Sequence, residues 1–238
     1  MKLRYNIEAW EWQTTKQWKL SEDIIFRENF MKIIKEVCVD NIDDALKAFN
    51  KGADRIEFCS NLNEDGLTPD FNDLKELKSL VSIPIRVMIR PHSKSFEYND
   101  NDIAKMTKSI HLFKKENFDG VVLGCLNEHN ELDIEKINYL AQTAKPLNVI
   151  VHKAIDLTNS PIESLKNLFE LNIINGVLTS GGCQTAELGM SILKNMVNIS
   201  PKDFEIISAG KITDQNINFL HEKIQGQYYH GRKIVGEL

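Results

Sequence analysis

The feature that most limits what this chain can become is an alternation, running from Met31 to the C-terminus, of short apolar runs with amphipathic stretches. The apolar runs fall at 33–39, 55–59, 85–90, 120–126, 148–152, 176–179, 205–208 and 227–230. Between them, residues 41–53, 71–81, 101–117, 133–144, 161–173, 185–197 and 213–224 place apolar side chains three or four apart, as a helix with one buried face requires. Runs such as 120–124 and 148–152 are apolar almost throughout, the pattern of strands covered on both faces. Eight strands joined by helices predict an α/β fold of the TIM-type (β/α)8 class rather than an open sheet. Too few residues follow 230 for a full eighth helix, so the barrel is expected to lack one.

Several helix starts are marked. Asp40-Asn41 is expected to cap the first helix and Thr213-Asp214 the last, while Pro161 after Ser160 suits a first helical turn. The first thirty residues differ: they hold all three tryptophans and follow neither the helical nor the strand period. Residues 1–30 are read as a variable N-terminal extension, or as a stretch upstream of a start at Met31, in preference to a segment covering one face of the domain. Residues 31–238 form the barrel domain.

A net charge of −5 argues against general nucleic-acid binding, which usually shows a basic face. No apolar run is long enough to span a membrane, and the start lacks the apolar core of an export signal. The chain is therefore expected in the cytoplasm, with Cys38, Cys59, Cys125 and Cys183 as thiols rather than disulfides. A homodimer would cover the apolar surface left by the absent eighth helix.

In such a barrel the working residues stand at the C-terminal ends of the strands. Glu36-Val37-Cys38 and Glu57-Phe58-Cys59 repeat a Glu-x-Cys pattern on consecutive strands, with the acid and the thiol on one face of each. Two thiols at one mouth favour a soft ion such as Cu(I). Free cysteine is also among the most buried residue types, and residue type by itself favours two small core side chains. Cys125 and Cys183 are read as structural or incidental.

Polar residues gather at the same strand ends. His152, Glu57, Glu36 and Asp156 could move protons if the protein is an enzyme, His152 because it titrates near neutrality and the carboxylates if burial raises them. Arg90 could clamp a carboxylate or phosphate at two points, with His92 and His230 nearby in the same rim. Thr179, Ser180, Gly181 and Gly182 form a turn that either presents N–H groups to an anion or is simply a turn. Ser208-Ala209-Gly210-Lys211 and Gly231-Arg232-Lys233 follow the seventh and eighth strands, where barrels often hold phosphate. Gly210-Lys211 lacks the earlier glycine of a P-loop, and His221-Glu222 lacks the second histidine of a zinc-protease motif.

At these residues the chain resembles the CutC family, named for copper homeostasis. The stretches that carry the likeness are KEVCV (35–39), GADRIEFCSNLNEDGLTP (52–69), IRP (89–91) with FEYND (96–100), HKAID (152–156), LTSGG (178–182) and HGRKI (230–234). The resemblance implies a cytoplasmic TIM barrel linked to copper handling, with Cys38 and Cys59 at the positions proposed for Cu(I) in the family. It also accounts for a chain that ends soon after the eighth strand. Where the family pattern has an arginine and two glycines after IRP, this chain has His92-Ser93-Lys94. Lys153 and Ile155 stand where the family has arginine and phenylalanine, and Lys153 keeps the charge but loses the two-point fork.

Two functions compete on these residues. One is a copper-homeostasis protein that binds Cu(I) as its ligand through Cys38 and Cys59. The other is an enzyme of unknown reaction acting on a small phosphate- or carboxylate-bearing metabolite.

Overall fold

The computed structural model describes residues 32–238. Its frame is a closed barrel of eight parallel strands in chain order: β1 (Ile34–Val39), β2 (Arg55–Phe58), β3 (Ile85–Met88), β4 (Gly120–Leu123), β5 (Asn148–Val151), β6 (Gly176–Thr179), β7 (Glu205–Ser208) and β8 (Tyr228–His230). Seven helices connect them: α1 (Ile42–Asn50), α2 (Phe71–Leu80), α3 (Asp100–Lys114), α4 (Ile134–Ala144), α5 (Pro161–Glu170), α6 (Met190–Ile199) and α7 (Ile217–Ile224). The TIM-type (β/α)8 expectation holds, and among the described residues no helix follows β8. The chain beyond β8 instead turns back on the barrel, pairing Lys233 with Thr213 and burying Ile234. The expectation about residues 1–30 falls outside the described residues. No described helix is long and apolar enough to cross a membrane.

Helix starts follow local chemistry. The Asn41 side chain accepts the Asp44 N–H at 2.8 Å, as expected for the first cap. Asn99 and Asp102 exchange bonds in a capping box, and Pro161 opens α5 in its first turn. Two boundaries differ from expectation. The last helix begins at Ile217 rather than at Thr213-Asp214, because Thr213 is held in its bridge to Lys233 and its N–H bonds Asn216 Oδ1 at 2.8 Å. The stretch 185–189 is not helical but packs against the loops after β6 and β7, through Ala186 N–H to the Gly210 carbonyl at 2.9 Å. Strands β2 to β5 end one to three residues early where the chain leaves the sheet for the mouth, although single bonds such as His152 N–H to Leu123 O (2.8 Å) prolong the register.

Alternate strand residues face the barrel interior. The lower interior is ionic rather than apolar. Arg86, 1% exposed, reaches Glu205 at 2.8 and 2.9 Å and Asp119 at 2.8 Å. Arg55 bridges Glu205 (3.0 Å) and Glu36. Above this network lies an apolar layer of Met88, Val122, Ile150, Leu178 and Ile207, closed on one side by Cys38 and Cys59. Arg55 and Arg86 share the three carboxylates of Glu36, Glu205 and Asp119, so each arginine removed from water has an anionic partner.

Candidate functional site

Above the apolar layer, at the C-terminal mouth, opens a cavity of about 850 Å³. Of the residues read from the sequence, Cys38, Glu57, Arg90, His152, Asp156, Gly182 and His230 line it. Glu36, Cys59, Thr179, Ser180 and Gly181 sit behind that lining, and His92 stands apart from it.

The Glu-x-Cys repeat becomes a contact through the parallel register, which sets Cys38 beside Glu57. Cys38 Sγ lies 3.5 Å from Glu57 Oε1 and 3.9 Å from Cys59 Sγ. The hydrogen bond with Cys59, burial and the Glu57 charge together push the Cys38 thiol well above its ordinary range. All four cysteines are free thiols. Cys183, read as structural or incidental, lines the mouth and is half-buried.

Glu36 and Glu57 are driven apart. Burial opposes ionisation of Glu36, but the charge of Arg55, the bond and charge of His230 and the charge of Arg86 outweigh it and hold this carboxyl well below the usual range. Glu57 has weaker support: burial dominates, Glu36 adds to it, and its carboxyl is raised although His230, Cys38 and Arg86 oppose the rise. His230 Nδ1 donates to Glu36 Oε1 at 2.8 Å. Burial disfavours the imidazolium of His230, but Glu57 and Glu36 prevail and raise its pKa.

His152 does not titrate near neutrality as the sequence predicts. Burial and then the Arg90 charge push it down to about 3, so the ring is neutral. Its Nδ1 accepts the Ala154 N–H at 3.2 Å, which caps the short helical turn Lys153–Leu157 and places the proton on Nε2. Gly124 makes this seat possible, since a Cβ there would stand 2.7 Å from the ring. Phe96 packs on the ring with centroids 4.7 Å apart, and the Arg90 guanidinium lies 4.8 Å from the centre of the Phe96 ring.

Arg90 is partly committed. Its Nη1 donates to the carbonyls of Glu64 (2.7 Å) and Gly66 (3.1 Å), anchoring the loop after β2. Its Nε and His152 Nε2 are buried without a partner among the described residues. His92 pairs instead with Asp102 at 3.4 Å and packs against Tyr98.

The turn 179–182 does cradle an anion, and that anion is the chain's own Asp156. Its carboxylate accepts the N–H groups of Ser180 and Gly182, each at 2.9 Å, and the Thr179 hydroxyl. Gly181 N–H bonds Thr179 Oγ1 at 2.9 Å. Asp156 is thereby a brace between the loops after β5 and β6 rather than a free base. Lys153 stands 3.7 Å from it, more than two-fifths exposed at the rim.

Sequence reading overlooked Phe96 as a site residue and the whole Arg55–Arg86–Glu205 network. The signal for the network was present: charged residues at inward-facing positions of otherwise apolar strands, in step with Glu36 and Glu57.

Comparison with known proteins places the chain in a family. A human protein named copper homeostasis protein cutC homolog is 36% identical over 197 residues, spanning 83% of this chain and 72% of that protein. A protein of Pasteurella multocida named as a family protein CutC is 34% identical over 221 residues, spanning 87% and 89%. A crystal structure described as a copper homeostasis protein CutC from Streptococcus agalactiae superposes with a TM-score of 0.80 at 27% identity, covering 85% of this chain and 99% of that one. Residues 33–235 match the CutC family as a whole, and this chain belongs to it.

Proposed function

We propose that this chain is a cytoplasmic copper-homeostasis protein whose cargo is Cu(I), held between Cys38 and Cys59. The observation that carries the reading is the 3.9 Å separation of the two sulfurs, close enough to share one ion. Thiolates are the ligands that favour Cu(I) over the hard ions abundant in cells. Cys38 faces the cavity and gives access, while Cys59 is wholly buried behind it. Each thiol must lose its proton when the ion binds. Glu57 Oε1, 3.5 Å from Cys38 Sγ, is the acceptor at hand.

The test is anaerobic titration with Cu(I) of the intact chain beside Cys38→Ser and Cys59→Ser. The reading expects one ion per chain, lost in both variants. Equal, weak binding by all three would remove it.

A second reading has its own support. The cavity of about 850 Å³ is far larger than one ion needs, and it meets the unpaired donors Arg90 Nε and His152 Nε2. Lys211, Arg232 and Lys233 add positive charge at the rim. These features suit an enzyme acting on a small anionic metabolite. Thermal-shift screening against phosphorylated and carboxylated metabolites tests it, with Arg90→Ala as the control expected to abolish any stabilisation.

A further inference from the structure

Closure of the barrel sets β8 beside β1, so residues almost two hundred positions apart become neighbours. Cys38 on β1, Glu57 on β2 and His230 on β8 each bring one donor atom to within 4.8 Å of the other two. Donors around a tetrahedral ion with bonds of 2.0–2.3 Å stand roughly 3.3–3.8 Å apart, a spacing reached here by small side-chain rotations. The 3.5 Å between Cys38 Sγ and Glu57 Oε1 already lies within it.

We infer that Cys38, Glu57 and His230 form a mixed sulfur, oxygen and nitrogen site for a borderline-soft divalent cation of the Zn(II) class, with its fourth position open to the cavity. Two observations beyond the clustering point to a ligand. Glu57 is 2% exposed, and its Oε2 has no partner among the described residues, an arrangement that costs free energy unless something binds there. His230 is held by Glu36 through Nδ1 at 2.8 Å, which leaves Nε2 for an ion and reproduces the carboxylate–histidine pairing that orients metal-bound imidazoles. Glu36 is itself fixed by Arg55, so the orientation is set from below.

The charges also agree. A thiolate and a carboxylate neutralise a dication, and the nearby arginines are already paired with Glu36, Glu205 and Asp119. A site with three protein ligands and one open position is the form in which zinc binds water or substrate. The inference goes beyond the dithiol reading, for it shares Cys38 with that site but requires neither Cys59 nor copper. The two ions would exclude one another.

X-ray absorption at the zinc edge of the intact, zinc-loaded chain decides the ligand set. The expected first shell holds one sulfur with nitrogen and oxygen. A shell of two sulfurs, or no one-to-one uptake of zinc, would overturn the proposal. Zinc competition against a chromophoric chelator adds an independent reading. Cys59→Ser should retain one-to-one zinc uptake, whereas His230→Gln and Glu57→Gln should each weaken affinity by about tenfold or more. Unchanged affinity in His230→Gln would equally sink it. Thermal unfolding of the variants guards against loss of fold, and should either variant fail to fold, the absorption spectrum of the unaltered chain still decides. Cu(I) binding that fails in Cys59→Ser while zinc binding persists would separate the two sites.

Discussion

Glu36 Oε1 and His230 Nδ1 stand 2.8 Å apart, joining the first strand of the barrel to the last. Through this bond the ionic lower interior reaches the mouth: Arg55 holds Glu36, Glu36 holds His230, and His230 faces the cavity. The carboxylate that stabilises the barrel is thus the one that orients a side chain of the site.

Glu36→Gln removes the negative partner of two buried cations. An orphaned buried charge typically costs about 3–5 kcal/mol, but Arg55 and Arg86 both keep Glu205, so the expected cost here is smaller, about 2 kcal/mol. Chemical denaturation should show a loss of that order. A change under about 1 kcal/mol would mean the network contributes little.

His152 gives a pH dependence with a defined sign. The unfolded chain protonates this ring near its ordinary value of 6.5, whereas the folded chain resists until about 3. Between those values the unfolded state binds the extra proton, so the contribution of His152 is complete above 6.5 and is lost as pH falls toward 3. The slope due to this one group is about 1.4 kcal/mol per pH unit. The His152→Asn variant, which keeps a side-chain acceptor for the Ala154 N–H, should flatten that limb of a stability–pH curve. Parallel curves for the two proteins would contradict the assignment.

Gly124→Ala places a methyl group 2.7 Å from the His152 ring. Overpacking of this kind costs about 1–3 kcal/mol. The ring should move off its seat, visible as a changed histidine resonance by NMR, and the melting temperature should drop. An unaltered resonance would show that the ring has room to spare.

Asp156→Ala leaves the N–H groups of Ser180 and Gly182 and the Thr179 hydroxyl without their acceptor. The expected cost is about 3 kcal/mol. Hydrogen exchange should rise first in the loops after β5 and β6, and uniform exchange across the barrel would argue against the brace.

Alkylation separates the thiols. Burial, with Asp133 adding to it, pushes Cys125 up to about 12, and Cys38 is raised by Cys59, burial and Glu57, so neither is a thiolate at about pH 8. Peptide mapping after iodoacetamide treatment should find Cys183 modified first, with the three buried thiols reacting on unfolding. Early modification of Cys38 would show its environment to be more polar than described.

The barrel itself was legible in the chain because its cause is local and repetitive. Apolar runs and amphipathic stretches recur at spacings that only alternating strands and helices satisfy, and helix-start residues such as Asn41 and Pro161 act on neighbours a few residues away. Candidate site residues could also be named, since strand ends are where a barrel presents polar groups. What each one does was decided by tertiary structure. No spacing in the sequence tells that Asp156 binds the 179–182 turn, that Arg90 anchors the loop after β2, or that Glu36 lies with arginines while Glu57 does not. Those outcomes depend on register, burial and the charges that closure brings within a few ångströms. Electrostatic energy varies with distance and solvation, and neither quantity is written in the order of residues along a chain.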